Sequence, residues 1–92
     1  MNLDMDSKVC HDEAVIFTDI EDKIVMLNVE NGAYYDFDSI ASHIWRKLEK
    51  PISVAQLCAD LCEEFEVDAD SCRADSLAFL DDLMARNLII AC

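Results

Sequence analysis

The sequence predicts an α+β domain in which three strands come first and three helices follow. Three observations carry this prediction. β-branched runs separated by polar turn residues fill the stretch from Ala14 to Phe37. After Asp38 the apolar residues change to helical spacing. Pro51 and a Ser-x-x-Gln capping box at Ser53 then divide the second half into separate helices.

Residues 1–13 carry Asp4, Asp6, Asp12 and Glu13 among few apolar side chains, and read as a loosely ordered lead-in. Ala14-Val15-Ile16-Phe17 is the first strand. Asp19 to Asp22 is a polar turn without glycine. Lys23 to Glu30, with Ile24, Val25, Leu27 and Val29, is the clearest strand. Asn31-Gly32 follows it, a pair that tolerates the positive φ angles of a two-residue type I′ turn. Ala33 to Phe37 is the returning strand, so Lys23–Phe37 is a hairpin. Asp38 or Ser39 caps a helix that places Ile40, Ala41, Ile44, Trp45 and Leu48 on one face. Ser53 starts the second helix, with Val54, Leu57, Cys58, Leu61, Cys62 and Phe65 as its apolar side. Asp68 or Asp70 caps the third, which reaches about Arg86 and gathers Cys72, Phe79, Leu80 and Leu83. Asn87 stands where a left-handed helix stop is wanted. Leu88 to Ala91 is a short extended piece. A helical triplet beside a hairpin is the layout of winged-helix modules.

The chain has 92 residues, which fits one domain spanning 1–92. Lys plus Arg is 7 and Asp plus Glu is 20, so the formal net charge is −13. A phosphate backbone needs clustered cations that release counterions, and these seven are scattered. Nucleic acid is therefore disfavoured, as is an anionic membrane surface. A basic peptide, or a basic patch on another protein, is favoured by long-range attraction. No apolar run approaches transmembrane length, and Met1 to Asp6 lacks the character of a targeting segment. A cytoplasmic protein is expected, with Cys10, Cys58, Cys62, Cys72 and Cys92 as free thiols. The small core makes an oligomer or a lasting partner reasonable.

Cys58 and Cys62, four apart on a helix, could share a metal only if Cys72 and Cys10-His11 completed the shell. Structural zinc prefers Cys-x2-Cys on turns, so these cysteines read better as small core residues. A Cys-His nucleophile at Cys10-His11 would need a base in reach and an orienting group, and a loose segment supplies neither. His43 reads as a surface or half-buried residue. The carboxylate clusters lack a calcium-loop pattern. No catalytic residue, no metal site and no cofactor site is expected. The third strand is different. If the strands are ordered as in sequence, Ala33, Tyr34, Tyr35, Asp36 and Phe37 form an edge that invites another strand. Tyr35 and Phe37 would then point inward, with Tyr34 and Asp36 outward. On the third helix Arg73, Leu77, Leu80, Asp81 and Met84 form a stripe that could wall a groove beside this edge.

The chain resembles the PqqD family, named for coenzyme PQQ synthesis protein D and also called RiPP recognition elements. The resemblance lies in Leu27-Asn28-x-x-Asn31-Gly32-x-Tyr34-Tyr35-x-Phe37, Ile44-Trp45-x-x-Leu48 and Pro51-x-Ser53-Val54-x-x-Leu57. It continues through Phe65-x-Val67-Asp68 and Phe79-Leu80-x-x-Leu83 to Leu88-Ile89, with Asn87 where the family usually has glycine. It implies a three-stranded antiparallel sheet on three helices, winged-helix-like. It also implies a non-catalytic peptide chaperone. Such a domain binds the leader of a ribosomally made precursor peptide by strand addition and presents it to a modifying enzyme, such as a radical SAM enzyme or a lasso-peptide protease with its cyclase. The peptide site it implies is Ala33 to Phe37 with Arg73, Leu77, Leu80, Asp81 and Met84, where Tyr34, Tyr35, Leu77 and Leu80 would line pockets. Pairing of two copies through the strand edge is a further expectation. The alternative is an acidic winged-helix-like module that binds a protein and no leader.

Overall fold

The computed structural model describes residues 3–92. The chain forms strands β1 (Lys8–His11), β2 (Val15–Ile20), β3 (Lys23–Asn28) and β4 (Tyr34–Asp36), then helix α1 (Ser39–Lys47). The short strand β5 (Ile52–Ser53), helices α2 (Val54–Glu64) and α3 (Ala69–Ala85), and strand β6 (Ile89–Ala91) complete it. Two antiparallel sheets result. One has the order β2-β3-β4, as the hairpin pattern predicted, and the other β5-β1-β6.

The second sheet corrects the reading of a loose lead-in over residues 3–13; the first two residues of that expected lead-in lie outside the described ones. Val9 is fully buried, and β1 pairs with β5 on one side and β6 on the other. Upstream, the Val54 N–H donates to the Ser7 carbonyl and the Ala55 N–H to that of Met5, so the N-terminal segment lies on the start of α2. Leu3 and Met5 are half-buried against the core. The expectation of five free thiols is corrected too. Cys10 and Cys92 are joined by a disulfide with Cα atoms 6.5 Å apart, linking β1 to the end of β6. Cys58, Cys62 and Cys72 remain free.

The hairpin turns are also redistributed. Glu21 (φ 51°) and Asp22 (φ 67°) both have positive φ between paired Ile20 and Lys23, the signature of a two-residue type I′ turn. At Asn31-Gly32 only Gly32 has positive φ, 72°. The loop there is longer because the buried Asn28 carboxamide accepts from the N–H groups of Glu30 and Asn31, while the Gly32 N–H donates to the Asn28 carbonyl. A left-handed conformation strains an ordinary L-residue by about 1–2 kcal/mol. Asp22→Gly therefore raises stability by about 1 kcal/mol, read as a rise in Tm of about 4–8 °C.

The helices start where the sequence placed their caps. Asp38, Ser53 and Asp68 accept from the N–H groups of Ala41, Gln56 and Ser71 respectively. Asn87, at φ 60°, closes α3: its N–H donates to the Met84 carbonyl and the Leu88 N–H to that of Leu83. These two bonds satisfy carbonyls that a helix end leaves open. The core draws on every layer. Trp45 and Leu48 come from the α1 region, Val54 and Leu57 from α2, Leu80 from α3, and Ile24 from β3, each fully buried. Outside the core, His43 and Lys47 of α1 bond to the Glu64 carboxylate and tie α1 to the end of α2.

His11 explains part of the join between the two sheets. Its ring stacks on Trp45 with centroids 3.8 Å apart, and its Nε2 donates to the Trp45 carbonyl at 2.7 Å. Burial lowers the imidazole pKa, and the Trp45 carbonyl and Glu49 oppose that shift without reversing it. The unfolded chain then takes up the proton more readily than the folded one, so stability rises with pH. This contribution is complete above the ordinary imidazole value of 6.5 and is lost as pH falls below it. Urea midpoints should drop between about pH 7 and about pH 5, and His11→Phe should flatten that slope. Glu64 is held low first by Lys47, so its contribution is lost only below the ordinary carboxylate range.

Candidate functional site at the β4 edge

Strand β4 has one paired side and one free side. Its residues Tyr34, Tyr35 and Asp36 stand opposite Leu27, Met26 and Val25. The Asn28 N–H donates to the Ala33 carbonyl, and the Phe37 N–H to that of Ile24, each at 2.9 Å. Bonded and non-bonded positions alternate along an antiparallel ladder. Tyr35 therefore bonds to Met26, and the main-chain groups of Tyr34 and Asp36 point away from β3. No other strand pairs with that side among the described residues. The result is a short rim offering two N–H donors and two carbonyl acceptors.

The side chains follow the expected alternation. Tyr35 and Phe37 are half-buried on the helix side, and Asp36 faces solvent. The Tyr34 side chain is 66% exposed and lies in the row of Ile16 and Leu27 on the outer face of the sheet. Its main chain, not its ring, belongs to the rim. Ser42 fixes the end of β4. Its buried hydroxyl accepts from the Ile24 N–H at 2.8 Å and donates to the Phe37 carbonyl.

Helix α3 runs antiparallel beneath β4. The Phe79 ring meets Phe37 with centroids 5.8 Å apart, and the Arg86 guanidinium lies 5.4 Å from the centre of the Tyr35 ring. Arg86 is also hydrogen-bonded to Asp82, which with Tyr35 raises its pKa. Phe79 and Arg86 are thus the α3 side chains that meet the β4 region, with Asp82 holding Arg86.

The expected wall lies elsewhere on the same helix. At about 100° per residue, Arg73, Leu77, Leu80, Asp81 and Met84 centre on the flank opposite the one that carries Asp75, Phe79, Asp82 and Arg86. Leu80 is wholly buried and offers no surface. Asp81 accepts from the Leu3 N–H, which puts the N-terminal segment on that flank, and Leu77 and Met84 there are half-buried. Arg73 is exposed and paired with Asp70. The structure thus brings together Ala33 to Phe37 but sets the expected helix stripe away from them. Leu77 and Met84 are apolar because they pack against the core from that flank. The signal that could have found the flank bordering β4 is Phe79 with Arg86 seven residues on, an aromatic and a cation on one side of α3.

Past Phe37 the groove opens into a cavity of about 620 Å³ between α1, the end of α2 and the first half of α3. Ile44, Leu61 and Phe79 line it, with Ile40, Phe65 and Val67 at its mouth.

The other sequence candidates have packing surroundings. Cys10 is in the disulfide and His11 is stacked on Trp45. Cys58 and Cys72 are buried between α2 and α3, and burial pushes the Cys58 thiol up. Among the described residues no group of three or more His, Cys, Asp and Glu is placed to hold a metal ion. No helix among them is long and apolar enough to cross a membrane.

Comparisons with known proteins agree with this architecture. A solved structure titled "TbiB1 in Complex with the TbiA(beta) Leader Peptide" superposes with a TM-score of 0.82 at 29% identity, covering 87% of this chain and 93% of the other. A second, "Lasso peptide synthetase B1 complexed with the leader peptide", gives 0.79 at 20% identity over 89% and 96%, and at that identity supports the fold alone. No match was found among curated proteins. The family described as coenzyme PQQ synthesis protein D (PqqD) matches residues 23–89, from the start of β3 to the start of β6, and the chain belongs to that family.

Proposed function

We propose that this chain is a non-catalytic peptide chaperone. It binds the leader segment of a ribosomally made precursor peptide as an added strand on β4 and presents the precursor to a modifying enzyme. The observation that carries this reading is the free rim of Tyr34 and Asp36, backed by Phe79 and Arg86 of α3. The similarity to TbiB1, whose solved structure holds a leader peptide, supports it. The enzyme served is a peptide-modifying enzyme such as a radical SAM enzyme or a lasso-peptide protease with its cyclase. The reading places the protein in the cytoplasm, where precursors are synthesised.

Magnitudes decide how the ligand is held. Four main-chain hydrogen bonds contribute about 1 kcal/mol each, net of water. A micromolar complex needs about 8 kcal/mol, so at least half must come from buried side chains. Main-chain bonds therefore set register, and apolar anchors set affinity and choice of leader. The net charge of −13 speeds the approach of a basic leader or a basic enzyme face.

The test is titration of a labelled leader from a precursor encoded beside this chain. Saturable one-to-one binding is expected, with no change in the mass of the peptide. If no leader binds while a neighbouring protein does, the chain is an acidic protein-interaction module instead.

A further inference from the structure

Arg86 sets a cation against the helix side of β4 in a molecule of net charge −13. Its Nε donates to the Asp82 carboxylate at 3.0 Å, and its guanidinium lies over the Tyr35 ring. It is also the C-cap of α3, where the negative end of the helix dipole favours a cation. The side chain is nonetheless 49% exposed, and among the described residues no second carboxylate meets it. A guanidinium carries five N–H donors in a fixed fork, so the bond from Nε leaves terminal N–H groups for another acceptor. Asp82 and Tyr35 thus aim the fork without exhausting it.

The ladder says which guest residue comes near. Every pairing in the β2-β3-β4 sheet is antiparallel. A guest added in the same sense runs towards its own C-terminus past Asp36, Tyr35, Tyr34 and then Ala33. Side chains directly opposite each other share a face. Ala33 and Tyr35 are half-buried while Tyr34 and Asp36 are exposed, so guest side chains opposite Ala33 and Tyr35 face α3. The Tyr35 ring fills the space on its own row. Ala33 has one methyl group and leaves room for a longer guest side chain to reach Arg86. Main-chain bonds set the register only to within two residues, because a slip of two keeps the same faces. A guest carboxylate is repelled across most of this acidic surface and accepted at Arg86, which removes that freedom.

We propose that Arg86 is a specificity-determining residue that takes an Asp or Glu of the leader, at the helix-facing position opposite Ala33, and so fixes the register of the added strand. The inference rests on the strand-addition reading and gives one guest position a chemistry that the overall charge disfavours. The terminal N–H groups of Arg86 donate to the guest carboxylate while Asp82 holds Nε.

The experiment uses the whole protein and a displayed library of random peptides long enough to span the rim. Peptides that also bind Asp36→Pro, whose rim is blocked, are removed. Those that remain should carry Asp or Glu at a fixed place near the C-terminal end of a β-prone stretch. A synthetic copy with that acid changed to its amide should bind the parent about tenfold more weakly. Arg86→Glu should reverse the preference and bind a copy with Lys there more tightly than the acidic original. A purely structural role for Arg86 would weaken both alike. Arg86→Lys, which keeps the charge and loses the fork, should fall between. If the selected peptides lack the acid, or if Arg86→Glu leaves the preference for acid over Lys unchanged, the Arg86 inference fails and the strand reading stands. If no peptide distinguishes the parent from Asp36→Pro, the strand reading fails and this inference falls with it.

Discussion

Asp36→Pro should weaken leader binding by about a hundredfold or more while leaving the fold intact. The asymmetry comes from the ladder. The Asp36 N–H faces away from β3, so proline removes no bond within the sheet. Proline is tolerated on edge strands for this reason. For an incoming strand the same change removes a donor and puts a ring in its path. Tyr35→Pro reverses the pattern. It breaks the bond to Met26 and should lower Tm, because Tyr35 faces the paired side. Asp36→Ala, which keeps the N–H, should bind nearly as the parent does. Fluorescence polarisation for affinity and circular dichroism for Tm separate the three variants.

Opening the Cys10–Cys92 link should lower stability by about 2–4 kcal/mol. The bond closes a loop with a sequence separation of 82, so its loss returns much freedom to the unfolded chain. It also fastens β1 to β6, strands of four and three residues. Calorimetry should show Tm lower by about 10 °C or more after reduction, and equally lower in Cys10→Ser with Cys92→Ser. Leader affinity should hold, because β4 belongs to the other sheet. Under reducing conditions the pair opens and the domain depends on its core. Identical melting with and without reductant would contradict this account.

The sequence made one half of the molecule plain and hid the other. The hairpin, the three helix starts and the Asn87 stop each rest on neighbours in the chain, so local chemistry revealed them. β1 shows one buried residue in four, Val9, and its partners lie about 40 and 80 residues away, so no periodicity marks it. From that omission followed the disulfide, which needs β1 beside β6. The placing of the expected helix stripe away from β4 has the same root. An apolar helix stripe has two flanks, and spacing does not say which one borders the edge strand. Asp81 looked available because the segment around Leu3 was not expected to lie there. The expected type I′ turn is absent at Asn31-Gly32 because Asn28 holds that loop through its own side chain; a type I′ turn stands instead at Glu21-Asp22. The rim itself was legible, since it needed only the strand order and the alternation of Tyr34 to Phe37.

Amide hydrogen exchange at Tyr34 and Asp36, followed residue by residue by NMR, tests strand addition most directly. With a saturating leader peptide these two amides should slow sharply, while Tyr35, already bonded to Met26, stays as slow as before. Saturation by the peptide with Tyr34 and Asp36 still exchanging at their free rates would show that the guest sits elsewhere.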